Sequence, residues 1–188
     1  MSMECPLCPG VRLQQEEVEN GLTMLTCAHC LGRFLPSNTY FDWLDKAGPN
    51  RPERPAQQIG PIETSEPNQA KRCPDCSGIL VAYKVGRDTG FSLDRCFHCG
   101  GIWFDANEWE TLRARNLHDD IHRIFSKAWQ EDVRKTELVR QKEQRLRQTF
   151  GSADYDELVR VKQWLDEHPK SREMYAFLMY EANIVRLP

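Results

Sequence analysis

Hydrophobic positions along the 188-residue chain change period at two points, and each change marks a different kind of element. Val11 to Val18 and Leu22 to Thr26 read as two strands around Asn20-Gly21, a strong hairpin signal. Ile79 to Val85 and Phe91 to Arg95 repeat the arrangement around a longer turn bounded by Gly86 and Gly90. A short apolar triplet follows each hairpin, Arg33-Phe34-Leu35 and Ile102-Trp103-Phe104, and predicts a third strand. Between the two blocks, residues 47–70 contain Pro49, Pro52, Pro55, Pro61 and Pro67 with almost no apolar side chains, which predicts an extended tether.

From Ala106 onward the apolar spacing turns helical. A short helix is expected over Ala106 to Arg115, with a break at Asn116. A longer one is expected from about Asp119 to Gln148, with Ile121, Ile124, Phe125, Ala128, Trp129 and Val133 on one face and Gly151 as its stop. Asp154 is expected to open a third helix that ends at His168-Pro169, and Ser171 to cap a fourth through Met174, Phe177 and Leu178. The chain thus divides into residues 1–46, a tether at 47–70, residues 71–112 and a helical tail at 113–188. The expected fold class is small α+β: two hairpin modules, each with a short third strand, followed by helices.

The chemistry lies in the cysteines. All eight fall into Cys-x2-Cys pairs, Cys5/Cys8, Cys27/Cys30, Cys73/Cys76 and Cys96/Cys99. Cys5 aligns with Cys73 and Cys27 with Cys96, and Cys27-Ala-His-Cys-Leu-Gly-Arg-Phe-Leu parallels Cys96-Phe-His-Cys-Gly-Gly-Ile-Trp-Phe, so the chain holds an internal duplication. In each copy the hairpin returns the second pair beside the first, the arrangement of a four-cysteine zinc site. Tetrahedral zinc takes four soft donors at about 2.3 Å, and two Zn2+ are expected. Four thiolates close the coordination sphere, which argues for structural rather than catalytic metal. A pair of redox dithiols is the competing reading, but it calls for a Cys-x2-Cys at a helix N-terminus within a βαβ unit, and neither context is visible. Zinc binding of roughly 10–16 kcal/mol exceeds the net stability of so small a domain, so each module is expected to unfold without metal.

Charge narrows the function classes. The formal charge of −3, lowered by 2 for each tetrathiolate zinc complex, falls to about −7, which is no footprint for general nucleic-acid binding. The chain has no run of about 20 apolar residues to span a membrane and no signal-peptide pattern at its start. A cytoplasmic location is therefore the default expectation, in which Cys-x2-Cys pairs point to metal rather than disulfides. His29 and His98 occupy matching places inside the second pair of each copy and read as surface residues beside the metal. His118 and His122 have the spacing of a zinc-protease helix, but Asp119 stands where that chemistry needs Glu, and a third ligand is missing nearby.

Cys73-Pro-Asp-Cys, then Asp94-Arg-Cys-Phe-His-Cys-Gly-Gly-Ile-Trp-Phe-Asp105 and Glu108, resemble the transcription factor IIB-like zinc ribbon over about residues 72–112. Phe104 for Leu and Trp109 after Glu108 are mild departures from that pattern. Residues 5–46 look like a diverged second copy, with Leu31, Arg33 and Phe34 where Gly100, Ile102 and Trp103 stand in the other. The resemblance implies zinc binding by a ribbon and, by fold analogy, docking on transcription machinery. Asp105 is expected to cap the following helix while Glu108 reaches back to its amide, and Trp103 and Trp109 to pack between ribbon and helix.

The second half of the long helix is basic: Arg134, Lys135, Arg140, Lys142, Arg145 and Arg147 against Glu137 and Glu143. It reads as a solvated helix end, as a surface for nucleic acid or an acidic partner, or as one strand of a helix–helix contact. With no catalytic constellation in the sequence, the leading expectation is a non-enzymatic zinc-binding adaptor for a protein or nucleoprotein partner. Direct nucleic-acid binding through the ribbons and residues 134–147 stands second, and a subunit of an enzyme complex third.

Overall fold

A computed structural model of the chain describes residues 3–47, 69–86 and 89–184. Most of the expected tether, including all five of its prolines, lies outside the described residues, as do residues 87–88 of the second hairpin turn. The chain forms two compact units, Met1–Arg134 and Lys135–Pro188. The division expected at residue 112 does not coincide with this one, because Leu117, Ile121 and Ile124 are buried in the core of the first unit.

Each copy forms its three strands where the pattern places them. They are β1 (Gln14–Glu19), β2 (Leu22–Thr26) and β3 (Arg33–Leu35), then β4 (Leu80–Lys84), β5 (Ser92–Cys96) and β6 (Ile102–Phe104). The sequence left open whether the two copies touch. They merge into one six-stranded sheet of order β1-β2-β3-β6-β5-β4, antiparallel throughout. The join pairs Arg33 with Phe104, Phe34 with Trp103 and Leu35 with Ile102. Phe34 thus faces its own counterpart, and a pseudo-twofold axis runs through that pair.

Directly paired residues on antiparallel strands point to the same side of a sheet. One face carries Leu22, Met24, Leu35, Leu93, Ile102 and Phe104 and is covered by helices; the other carries Phe34, Trp103 and Leu80 among the cysteines. The helical cover includes an element the sequence reading missed, α1 (Ser37–Ala47). Its Tyr40 and Trp43 are buried beside Trp109 and Leu112 of α2 (Glu108–Ala114). Tyr40 Oη donates to the Asp119 carbonyl at 2.9 Å and accepts from the Ile121 amide at 3.1 Å, which ties α1 to α3 (Ile121–Ile124).

The expected helix from Asp119 to Gln148 is two helices, α3 and α4 (Lys127–Phe150), and its interruption has a physical cause. Ser126 Oγ accepts the Trp129 amide at 3.2 Å as a cap. Gln130 Nε2 donates to the Ile124 carbonyl at 2.8 Å, and the Trp129 indole donates to the Val85 carbonyl at 2.9 Å. The break at Asn116 occurs as expected, with that residue in the left-handed region at φ 52°. Beyond Gly151 follow α5 (Ser152–Glu167), two residues earlier than Asp154 suggested, and α6 (Ser171–Ile184).

Half of the capping expectation needs correction. Glu108 Oε2 does accept the Asp105 amide at 2.9 Å. The Asp105 side chain does not cap: its Oδ1 accepts the Trp103 indole N–H at 2.8 Å and its Oδ2 accepts Lys71 Nζ at 2.5 Å. Lys71 also donates to Asp94 Oδ2 at 2.5 Å, and all three charged groups are buried. Burial works against the Lys71 charge, but the hydrogen bonds it donates to Asp105 and Asp94 outweigh it and hold the ammonium above its ordinary pKa. A further carboxyl beside two aspartates and one lysine stays protonated. Burial, with Asp105 and Asp94 adding to it, pushes Glu108 up to about 9 against the pull of the Asp105 amide and Lys71.

Two outcomes follow. Lys71→Met leaves two buried carboxylates without their cation and should lower the unfolding free energy by about 3–5 kcal/mol in chemical denaturation. The folded protein keeps on Glu108 a proton that the unfolded chain loses above the ordinary value of 4.5, so stability declines as pH rises from there to about 9. With zinc in excess, Glu108→Gln should flatten that decline between pH 6 and 9, removing up to about 1.4 kcal/mol per pH unit.

Candidate metal centres

Each cysteine knuckle is a tight backbone turn. The Cys27 amide donates to the Gly32 carbonyl at 2.8 Å and the Leu31 amide to the Cys27 carbonyl at 3.0 Å. The equivalents in the second copy are Cys96 to Gly101 at 2.8 Å and Gly100 to Cys96 at 3.0 Å. In three of the four knuckles the fourth residue after the leading cysteine takes positive φ, 74° for Gly100 but 60° for Leu31 and Ser77, which lack glycine's freedom. In the Cys5 knuckle Gly10 takes it at 76°.

These turns gather the sulfurs into two groups, Cys5, Cys8, Cys27, Cys30 and Cys73, Cys76, Cys96, Cys99, in which all Sγ atoms lie within 4.8 Å of one another. The Cys5–Cys30, Cys73–Cys99 and Cys76–Cys96 Sγ separations are 3.6, 3.5 and 3.4 Å. A disulfide would need about 2.05 Å. A tetrahedron of about 2.3 Å metal–sulfur bonds has edges of about 3.8 Å, so the donor sets fit zinc. The protein binds two zinc ions, one in each copy of the duplicated module.

The two groups share a charge pattern as well as a shape. Burial opposes ionisation of Cys27, but the amides of Cys30 and His29 and the neighbouring thiols bring its pKa down to about 7. Cys96 is likewise brought to about 7, its burial outweighed by the amides of Cys99 and His98. Burial raises Cys5, Cys30, Cys73 and Cys99, with Cys30 pushed up to about 11. The first thiolate of each cage therefore arises at the same place in both copies, and zinc must supply the rest of the driving force for deprotonation. His29 Nδ1 lies 3.3 Å from Cys8 Sγ as a hydrogen-bond partner of the sulfur. Neither His118 nor His122 belongs to a metal-ligand group among the described residues.

The copies also exchange aromatic rings. A Cβ on Gly32, in the knuckle of the first site, would lie 2.3 Å from Trp103 Cζ2 of the second copy. A Cβ on Gly101, in the second site's knuckle, would lie 2.5 Å from Phe34 Cζ of the first. Both rings are fully buried, and Asp105 orients the Trp103 indole. The sequence reading placed all eight ligands but missed this exchange and Lys71, since neither has a spacing signature. Tyr40 and Trp43 had one: they follow Cys27 at the same intervals at which Trp109 and Leu112 follow Cys96.

The six basic residues are not gathered in one patch. At about 100° per residue, Arg134, Lys135, Lys142 and Arg145 share one side of α4, while Arg140 and Arg147 lie on the other. Arg147 is held by Glu143 at 3.2 Å and Asp156 at 2.8 Å and lies over the Tyr155 ring.

Gly32→Val should weaken zinc retention although it alters no ligand, because the new methyls displace Trp103. Overpacking of about 1–3 kcal/mol corresponds to a loss of roughly one to two decades in chelator competition. Leu31→Ala, at an exposed side chain of the same knuckle, should leave retention within about threefold of the parent.

No curated protein and no solved structure matches the chain. Residues 72–115 match the family model described as transcription factor zinc-finger, the TFIIB-type zinc ribbon, and the four cysteines of its cage are those of the second metal centre.

Proposed function

We propose that the protein is a non-enzymatic zinc-binding adaptor of the reducing cytoplasm. In this reading the second ribbon docks on a protein or nucleoprotein partner related to transcription. The observation that carries the reading is Phe97. It sits between two zinc ligands at the tip of the second knuckle and is 90% exposed. Ile79 and Val81 of the same ribbon are also exposed. Ala28 occupies the corresponding place in the first copy. The closed tetrathiolate cage holds the backbone that presents this ring, so docking it costs little backbone entropy. Four thiolates leave no coordination position for a substrate, which supports a scaffold role for the metal.

Retention of RNA polymerase subunits by the immobilised, zinc-loaded full chain is the expected result. Phe97→Ser should reduce it by about 30-fold in affinity, the loss typical of a 2 kcal/mol anchor. Equal retention by parent and variant would remove the docking role of this ribbon. Binding that survives Phe97→Ser but disappears on reversing Arg134, Lys142 and Arg145, with a steep salt dependence, would instead mark direct nucleic-acid contact.

A further inference from the structure

The second unit, Lys135–Pro188, has helices but scarcely a core. Among its described residues Leu165 alone is buried. Trp164, Leu158 and Val159 of α5 are 54%, 52% and 46% exposed, and Leu138 and Val139 of α4 are 59% and 67% exposed. Helix α6 is the extreme case. Phe177, Leu178, Met179 and Tyr180 are consecutive, so at about 100° per residue they point to all sides of the helix. Their exposures are 62%, 49%, 68% and 68%. A helix apolar on every side belongs inside an assembly. A flat docking surface would cover one side of α6, whereas neighbouring helices of a bundle cover several.

Charge identifies the occupant. The part of α4 in this unit, residues 135–150, carries five basic and two acidic side chains, a net +3. Helix α5 carries two basic and five acidic ones, a net −3. The two segments are each 16 residues long. Among the described residues α5 packs more closely on α6 than on α4; it meets α4 at the Gly151 corner, where Arg147 pairs with Asp156 and lies over Tyr155. Each chain thus offers one basic and one acidic helical segment of 16 residues, and a second copy offers the complement of both. That is the requirement for an isologous contact, in which one patch pairs twice with its mate.

We infer that residues 135–184 form a homodimerisation arm, α4 of one protomer lying along α5 of its partner with α6 enclosed in the resulting bundle. The inference is independent of what the ribbon docks on.

Light scattering of the zinc-loaded full chain at micromolar concentration should give twice the chain mass of 21.9 kDa. A monomer would overturn the proposal. Trp164→Glu with Phe177→Glu should give the single-chain mass while two zinc ions per chain remain, which shows that the first unit is intact. The pairing itself is tested by two charge variants, Lys142→Glu with Arg145→Glu, and Asp154→Lys with Glu157→Lys. Each alone places like charges across the contact and should shift the mass toward monomer. An equimolar mixture restores both contacts and should recover the dimer. Dimers unaffected by the apolar and both charge variants would place the contact elsewhere and refute the arm. Charge variants that dissociate but do not recover on mixing would refute the α4–α5 pairing.

Discussion

The antiparallel pairing of Arg33–Leu35 with Ile102–Phe104 is the constraint on which the first unit depends. Three-residue strands contribute few hydrogen bonds, and neither hairpin alone offers enough apolar area for a stable core. Joined, they convert two small ribbons into one six-stranded sheet with two usable faces. The axis through Phe34 and Trp103 then places each ring over the glycine of the opposite knuckle, so that each metal cage is partly walled by the other copy. Metal binding and sheet formation are thereby one process: a knuckle that opens releases the ring that packs the other.

The polar interior serves the same contact. A buried tryptophan needs a partner for its N–H, and Asp105 supplies one to Trp103. A buried aspartate needs a cation, which Lys71 supplies, and Lys71 is in turn balanced by Asp94 of β5. The chain of requirements ends at Glu108, whose burial, with the two carboxylates adding to it, disfavours ionisation so that it retains its proton. Orientation of one indole ring thus accounts for four buried ionisable groups. Replacement of the whole set by hydrophobic residues would keep the volume but lose the device that aims Trp103 at Gly32.

Much of this was legible from residues near the metal and little from residues far from it. Cysteine spacing reports ligand geometry directly, and the triplets after each second pair are bounded by glycines on one side and a helix start on the other. The join between copies was hidden because edge pairing leaves no periodic mark: Phe34 and Trp103 read equally well as strands closing their own ribbons. Helix α1 was legible in principle: Tyr40, Trp43 and Leu44 fall at helical spacing, and the first two match Trp109 and Leu112 of the second copy. Ser126 read as a helix interior because its cap becomes visible only when Trp129 and Gln130 find the carbonyls of Val85 and Ile124. Lys71 sits at the end of a proline-rich stretch, where a lysine ordinarily signifies solvent.

The duplicated halves have diverged in side chains, and the difference can be read at matched positions. Arg33 stands where Ile102 stands in the second copy, and instead of filling the core it reaches Glu16 at 3.4 Å and Glu110 of α2 at 2.6 Å. It therefore fastens the first ribbon to the helix that follows the second. Leu31 stands where Gly100 stands, accepting a left-handed conformation that a glycine takes without strain. Ala28 stands where Phe97 stands, so the first copy lacks the exposed aromatic of the second. Arg33 adds a tie to the second copy and Ala28 removes an outward aromatic, whereas Leu31 adds an exposed apolar side chain. Under the docking proposal, a buttress needs contacts with its neighbour and a docking surface needs freedom from them, requirements that Arg33 and Phe97 respectively meet.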